Sequence, residues 1–353
     1  MRTTDPGIAL VVPAYRPDAR LVELLVGLSG RWGGPVVVVD DGSGEPYARV
    51  FRRCSALGAL VVPRGERGGK GEALKTGFAA VAGMDPRPWG IVCADDDCRH
   101  LPADVVTVAE LLAERPGALV LGCRDFRSPQ VAPLTHFANL CTRVAVRLFC
   151  GVSVSDTQSG LRGLPTGFAL RMCEEERGGF EFEAAMLAEA ERGGVPFAEA
   201  PISYVSDPAA PGSDFRPFVD TARILAVMLE LFAKYALSSV FCYALDLVLF
   251  GALMALIGSG AGAWGVYAAT VAARVVSAGT NFAVNRRKVF GGGVSGKRIA
   301  RYVALSAGIM AASALAVGWI APATGVPAVV VKPLVDFLLF FVNYKAQQLW
   351  VFA

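Results

Sequence analysis

Asp95 and Asp97 stand two residues apart at the end of an apolar run. Two carboxylates at that spacing can share one hard divalent cation, and such a cation bridges diphosphate oxygens. Taken alone, the same run could be a solvated acidic turn. Asp40-Asp41-Gly42-Ser43 closes another apolar run. Carboxylates there can accept hydrogen bonds from base N–H groups or ribose hydroxyls, although Asp-Gly after a strand is also a common turn. Gly68-Gly69-Lys70-Gly71 opens a helical pattern. Backbone N–H groups and a lysine at a helix start suit a phosphate, while the glycines could equally serve only a turn.

The elements that must position these residues are legible around them. Apolar runs predict strands at 8–12, 36–39, 59–62, 91–94 and 118–121, and helical patterns fall between them at 19–28, 70–81 and 103–114. Continuous apolar strands separated by helices imply a parallel sheet buried on both faces. Such sheets bind ligands at the carboxyl ends of their strands. Pro13-Ala14-Tyr15, Asp40-Asp41 and Asp95-Asp96-Asp97 all sit at those ends.

Two amphipathic helices are expected next. In 134–150, Leu134, Phe137, Cys141, Val144 and Leu148 make an apolar stripe, with His136, Asn139, Arg143 and Arg147 on another face. In 217–234, Phe218, Ala222, Leu225, Leu229 and Phe232 share a face opposite Asp220, Arg223, Glu230 and Lys234. Basic residues and the hydrophobic segment that follows favour a membrane-interface placement for both. Four hydrophobic segments then run at about 235–258, 264–284, 300–320 and 327–349. Each is long enough to span roughly 30 Å of hydrocarbon.

Composition agrees with a soluble front joined to a membrane domain. Of the 353 residues, charged ones are only 18%, below the usual quarter, and mean hydropathy is +0.46. From Tyr235 onward the only acidic residues are Asp246 and Asp336. The loop between the second and third spans holds Arg286, Arg287, Lys288, Lys297 and Arg298, whereas the other two loops are uncharged. The positive-inside rule puts that loop, both termini and the front domain in the cytoplasm of a multi-pass protein of the cell membrane. The apolar stretch 8–12 is too short for a signal peptide's core. A net charge of +3, with no long basic run, gives no reason to expect nucleic acid. Eight cysteines without a CxxC pair, beside two histidines, make a zinc site unexpected. The thiols are expected to be reduced and mostly packed.

In order, Pro-Ala-Tyr, Val-Asp-Asp-Gly-Ser, Gly-Lys-Gly-x-Ala and Asp-x-Asp resemble glycosyltransferase family 2, whose fold is GT-A. Leu121-Gly122-Cys123-Arg124-Asp125-Phe126, Ser155-Asp156-Thr157-Gln158-Ser159-Gly160-Leu161-Arg162, Phe180-Glu181-Phe182-Glu183 and Phe215-Arg216-Pro217 are similar to segments of dolichyl- and polyprenyl-phosphate glycosyltransferases. This likeness covers roughly residues 8–234. Asn281-Phe282-x-x-Asn285-Arg286-Arg287-x-Val289-Phe290, Phe341-x-Asn343-Tyr344 and Trp350-Val351-Phe352 resemble GtrA-like four-helix membrane domains. The architecture implied is an α/β GT-A domain with a mostly parallel sheet at 1–213, an interfacial helix at 214–234 and an all-α transmembrane domain of four helices at 235–353.

The resemblance to dolichyl-phosphate mannose synthase-like enzymes implies inverting transfer of a sugar, mannose or glucose, from a GDP- or UDP-linked donor to a polyprenyl phosphate. It implies Mg2+ or Mn2+ at Asp95 and Asp97, with Asp156, Arg124 and Arg216 completing the catalytic set. Pro13, Tyr15, Asp40 and Asp41 would hold the nucleoside, and Arg124 and Arg216 would face phosphates. Asp156, Gln158 and Glu183 would meet sugar hydroxyls or order the site. Lys70, Asp96, Arg99 and Arg143 complete the substrate-binding set. A homo-oligomer is compatible with this reading.

Two departures stand out. Family members commonly show Asp-x-Asp-x-Gln-His-x-Pro, but here Arg99 takes the Gln place, and a guanidinium cannot coordinate a cation. Weaker metal binding follows, and Asp96 offers Arg99 an adjacent carboxylate. Asp214 stands where a His is usual, which changes the charge expected near the acceptor. Other classes stay open at this point. The membrane domain could be a flippase-like module or scaffold, with Asp246, Arg274, Lys332 and Asp336 lining a polar pathway or forming structural pairs. A family 2 enzyme with a soluble or polysaccharide acceptor is a third reading.

Overall fold

The computed structural model describes residues 4–125, 133–203, 217–257, 262–290, 295–326 and 328–352. The chain divides into two compact units, 1–228 and 229–353.

The first unit is built on a seven-stranded sheet. Its strands are β1 (Ile8–Ala14), β2 (Val36–Asp40), β3 (Leu60–Pro63), β4 (Gly90–Cys93), β5 (Leu119–Arg124), β6 (Arg162–Pro165) and β7 (Phe197–Ile202). They lie in the order β3-β2-β1-β4-β6-β5-β7. Every pairing is parallel except those of β6, which runs antiparallel to β4 and to β5. The helices are α1 (Ala19–Leu28), α2 (Ala48–Ala56), α3 (Lys70–Ala82), α4 (Pro102–Glu114), α5 (Pro133–Ala145), α6 (Thr166–Met172) and α7 (Glu181–Arg192).

All seven residues of β1 are buried. Side chains alternate across a strand, so β1 feeds two cores. Ala9 and Val11 join Val37, Val39, Leu74, Phe78, Ile91 and Phe182 on the α3 and α7 side. Ile8, Leu10 and Val12 join Leu21, Leu25, Val38, Val108 and Leu112 on the α1 and α4 side. With both faces covered, ligands are left the strand ends. The order reverses at β1, whose neighbours β2 and β4 lie on either side, and this makes a switch-point crevice at the carboxyl ends.

Two local details shape that crevice. Pro102 opens α4 in its first turn, where a missing N–H costs nothing. Gly69 precedes α3 at φ +98°, and a Cβ there would meet the Gly178 carbonyl oxygen at 2.8 Å. Only glycine allows this chain reversal and approach.

The structure revises several expected elements. The 134–150 segment is α5 followed by a wider π-helical turn over 146–150. Asn139, which the pattern groups with His136, Arg143 and Arg147, is turned inward. It is buried, and its Nδ2 donates to the Ser155 carbonyl at 3.2 Å. The stripe residues Leu134, Phe137 and Cys141 lie outside the described side chains, as do Asp214, Phe215 and Arg216 altogether. The 217–234 helix is not separate. It continues into the first hydrophobic segment as α8 (Pro217–Ile257).

The second unit holds the rest of α8 with α9 (Gly262–Val284), α10 (Gly296–Thr324) and α11 (Ala328–Ala346). Residues Phe232–Leu256 are long and apolar enough to cross a membrane, judged by length and composition among the described residues. Leu237, Val248, Val271, Val303, Met310, Leu315, Leu334 and Phe337 all point outward. An apolar surface of this extent suits hydrocarbon.

Within the unit, Tyr235 and Tyr344 are buried against Phe232 and Phe340. Next to them runs an amide network. Asn285, fully buried, accepts from Ser238 Oγ at 2.7 Å and donates to Gln347 Oε1 at 3.0 Å, and Asn343 Nδ2 donates to Tyr235 Oη at 2.8 Å. Asp246 accepts from Ser277 Oγ at 2.8 Å and pairs with Arg274 at 3.2 Å.

Candidate active site

The end of β4 carries the densest charge. Asp95 Oδ1 lies 2.6 Å from Lys70 Nζ at the start of α3, and Lys70 Nζ lies 3.0 Å from Glu183 Oε1 at the start of α7. Burial alone would lower the Lys70 pKa, but the Asp95 and Glu183 carboxylates outweigh it and push it up. Burial would raise Asp95, yet Lys70 holds its carboxyl well below the usual carboxylate range. Both groups are therefore charged at neutral pH. Gly160 closes over the pair: a Cβ there would meet Asp95 Oδ2 and Lys70 Nζ at 2.7 Å each. Arg162 is almost fully buried and fastens the neighbouring turns, its Nε donating to the Ser159 carbonyl at 3.0 Å and its Nη1 to the Glu183 carbonyl at 2.5 Å.

The rest of the loop has a set shape. Burial, with the charges of Asp95 and Asp97 beside it, pushes Asp96 up to about 7. Asp97 accepts the Arg99 N–H at 3.0 Å and pairs with Arg99 Nε at 3.2 Å. This corrects the expected partner of Arg99: both its backbone N–H and its guanidinium Nε reach back to the Asp97 carboxylate rather than to Asp96. Cys98 has φ +57°, rare for a residue with a side chain, and its Sγ donates to the Arg20 carbonyl at 2.9 Å. His100 is buried and accepts the Asp95 N–H on Nδ1 at 3.1 Å. Burial lowers its pKa, so it is neutral here.

Beside β2, Asp40 Oδ1 accepts the Ser43 N–H at 2.8 Å. Asp41 is buried with both oxygens engaged. Oδ1 accepts the Gly68 N–H at 2.9 Å and Oδ2 the Gly69 N–H at 2.8 Å. Arg64 Nε sits 2.9 Å from Asp41 Oδ1, off the N–H axis, as an ion pair. Asp41 thus holds the 64–69 loop. That loop brings the Arg67 guanidinium 3.9 Å from the ring centre of Tyr15, which follows β1 directly, while Pro13 is buried within β1. A cavity of about 460 Å3 opens next to Asp40, lined by Gly42, Glu45, Phe51, Arg52 and Arg64 among others.

At the end of β5, Arg124 and Asp156 form a two-point pair at 2.7 and 3.1 Å, with Asp156 buried. Asp156 also accepts the Gln158 N–H at 3.0 Å, while the Gln158 side chain is exposed. Arg143 Nε donates to the Val154 carbonyl at 3.2 Å. The structure therefore brings Lys70, Asp95 and Glu183 into direct contact, and Arg124 with Asp156 and Gln158. Arg216 lies outside the described residues.

Sequence reasoning passed over His100, Gly160, Arg162, Arg64 and Arg67. The first had a signal, the His of the Asp-x-Asp-x-x-His-x-Pro spacing. Gly160 and Arg162 had one too, the 155–162 segment that carries the resemblance, whereas Arg64 and Arg67 act through contacts between distant segments, which spacing does not reveal.

The donor set can be judged for a divalent cation. Asp95 and Asp97 offer hard oxygens of the right kind. Among the described residues no group of three or more His, Cys, Asp or Glu side chains could hold a metal alone. The carboxylates therefore fit a cation shared with a diphosphate rather than one enclosed by protein.

The fold is an α/β domain of the GT-A kind, with a mostly parallel seven-stranded sheet. Residues 10–160 match the family described as glycosyl transferase family 2, and residues 227–352 match the one described as GtrA/DPMS, transmembrane domain. The chain joins these two domains and is a membrane protein.

It is 30% identical over 158 residues to an uncharacterized protein of Methanocaldococcus jannaschii, covering 44% of this chain and 63% of that one. The chain thus spans less than two thirds of that relative's length. It is 25% identical over 199 residues to the UDP-N-acetylglucosamine–dolichyl-phosphate N-acetylglucosaminyltransferase of Methanococcus voltae, covering 51% of this chain and 77% of the relative. Among solved structures, glucosyl-3-phosphoglycerate synthase of Mycobacterium tuberculosis, with Mn2+, UDP-glucose and phosphoglyceric acid, aligns with a TM-score of 0.47 at 21% identity, over 63% of this chain and 78% of that one. Mannosyl-3-phosphoglycerate synthase of Rubrobacter xylanophilus aligns with a TM-score of 0.46 at 16% identity, over 64% and 72% of the two chains.

Proposed function

We propose that this protein transfers a hexose from a nucleotide-sugar donor to a polyprenyl phosphate, with inversion. The observation that carries the reading is the juxtaposition of Asp95 and Asp97 with Asp40 and Tyr15 around the β2-β1-β4 strand ends, in a chain that also has a GtrA/DPMS transmembrane domain. The acceptor phosphate is anionic at neutral pH, so the reaction needs no strong base. It needs an aligned phosphate oxygen and a stabilised leaving group.

In this reading the cavity beside Asp40 takes the base, and the second Asp40 oxygen accepts from base or ribose. Tyr15 and Arg67 flank the path from there toward Asp95. Asp95 and Asp97 would hold Mg2+ or Mn2+, which when bound supplies charge against the departing diphosphate. Lys70 and Glu183 act by orienting Asp95, and Asp41 acts by holding the loop that carries Arg67. The Arg124–Asp156 pair and Gln158 order the sugar side, with Arg143 behind them and Arg216 facing a phosphate. Mannose and glucose follow from the sequence resemblance, and the Methanococcus voltae relative adds N-acetylglucosamine.

The spans at about 235–258, 264–284, 300–320 and 327–349, with both termini cytoplasmic, belong to the same proposal. So does the interfacial placement of α5 and of residues 214–234.

The test is release of GDP or UDP from a panel of nucleotide sugars, with and without polyprenyl phosphate. Release that depends on the lipid phosphate supports the reading. Release unaffected by lipid across the panel contradicts it.

A further inference from the structure

Both carboxylates proposed for the cation already carry a protein cation in this structure, and the two cations differ in kind. Lys70 is enclosed. Its Nζ contacts Asp95 and Glu183 at 2.6 and 3.0 Å, its side chain is 15% exposed, and only a glycine at 160 leaves space beside it, since a Cβ there would meet Nζ at 2.7 Å. Two carboxylates hold it in place. Arg99 is the opposite. Its side chain is 44% exposed and it holds Asp97 through Nε at 3.2 Å. An exposed pair of this kind is weak and easily exchanged.

The bend that turns Arg99 onto Asp97 is built into the loop. Cys98 takes a left-handed conformation and is tied by Sγ to the Arg20 carbonyl at 2.9 Å. The residues flanking Arg99 are thus tied down while its guanidinium stays exposed to solvent. A Gln at this position would add an oxygen to the cation's shell. Arg99 instead adds a positive charge that competes with the cation for Asp97.

Taking the site as the donor site proposed above, we infer that Arg99 is a displaceable cover on Asp97 that makes divalent-cation binding depend on the nucleoside diphosphate. Among the described residues the protein alone offers no third carboxylate, histidine or cysteine ligand to the cation, and it meets the cation with two positive charges. A diphosphate changes both conditions: it brings oxygens that complete the shell and a new anion for Arg99. The guanidinium moves from Asp97 to a diphosphate oxygen, where its planar donors fit well, and Asp97 turns to the cation. Lys70 stays on Asp95 throughout and keeps that carboxylate oriented. Cation and diphosphate then enter as a coupled pair, and each raises the affinity of the other by the same factor.

The experiment measures Mn2+ binding to the full-length protein in detergent, by the electron paramagnetic resonance signal of free Mn2+, without substrate turnover. It is run with no nucleotide, with GDP and with UDP, on the wild type, Arg99→Gln, Arg99→Ala and Asp97→Asn. We expect GDP or UDP to tighten Mn2+ binding to the wild type by at least about tenfold. We expect Arg99→Gln and Arg99→Ala to bind Mn2+ without nucleotide several-fold more tightly than wild type, with a smaller nucleotide effect. Asp97→Asn should bind poorly in every condition. Equal nucleotide-free Mn2+ affinity in the wild type and both Arg99 variants overturns the inference and leaves the donor site standing, provided that a nucleotide still tightens Mn2+ binding to the wild type. If neither GDP nor UDP binds at saturating Mn2+, by calorimetry, both the donor site and this inference fall.

Discussion

A methyl group added at Gly160 would lie 2.7 Å from both Asp95 Oδ2 and Lys70 Nζ, whereas one added at Gly117 would meet nothing within 4 Å. Gly160→Ala should therefore force the ion pair apart and lower turnover by at least about tenfold, while Gly117→Ala leaves it unchanged. Rate measurements on the two variants check this, and equal rates would remove the Lys70–Asp95 contact from the account. Asp95→Asn and Asp97→Asn keep side-chain volume but remove charge. Each should abolish most turnover with a near-normal melting temperature, and a wild-type rate in either would dismiss that carboxylate. At this scale the acidic motifs were legible, because Asp40-Asp41 and Asp95-x-Asp97 sit where apolar runs end. Their partners were not. Lys70 read as a phosphate ligand from its Gly-rich surroundings, yet it meets Asp95 and Glu183. Asp41 read as a nucleoside ligand, yet its oxygens hold Gly68 and Gly69. Those contacts join segments far apart in sequence, so no local pattern announces them.

The strands and helices that carry the site divide along a physical line. Strands β1, β2 and β4 are short runs of buried apolar residues, and the pattern alone places them to within a few residues. Strand β6 is Arg162-Gly163-Leu164-Pro165. It holds a charge, a glycine and a proline, and only the pairing with β4 and β5 makes it a strand. Strand β7 lies at the sheet edge and alternates buried with exposed residues, a weaker signal than a continuous run. Helix α5 is the element whose exposed face has the clearest consequence. Leu140 and Val144 are 46% and 55% exposed on it. If they rest in the membrane interface, a chain truncated after Lys234 should sediment with anionic vesicles. Leu140→Glu with Val144→Glu should reduce the bound fraction severalfold, because two charges replace buried apolar surface. Unchanged sedimentation would return α5 to an ordinary surface helix. In the second unit the Asp246–Arg274–Ser277 contacts satisfy an intramembrane carboxylate internally, which favours a structural pair over a transport path.

For the molecule as a whole, the account requires four spans with the basic 285–301 segment on the cytoplasmic side. Single cysteines introduced at Gly260 and Thr324, in a background without native cysteines, should react with an impermeant maleimide in intact cells. One at Gly292 should react only after permeabilisation, and the reverse pattern would invert the topology. The charge distribution is what makes a two-part reading visible in the sequence, since acidic residues nearly vanish after Tyr235. Sugar and nucleotide were not legible, because in this account they depend on the shape of the cavity proposed for the base and on the side chains proposed to meet the hexose. The central claim is that sugar arrives on a polyprenyl phosphate. The most direct test is mass spectrometry of the organic-phase extract after incubating purified protein with polyprenyl phosphate, Mg2+ or Mn2+ and a nucleotide-sugar panel. The account predicts a lipid phosphate heavier by one hexose or N-acetylhexosamine residue for at least one donor, and none with Asp97→Asn. A sugar product confined to the aqueous phase, with the lipid phosphate unmodified for every donor, would contradict it.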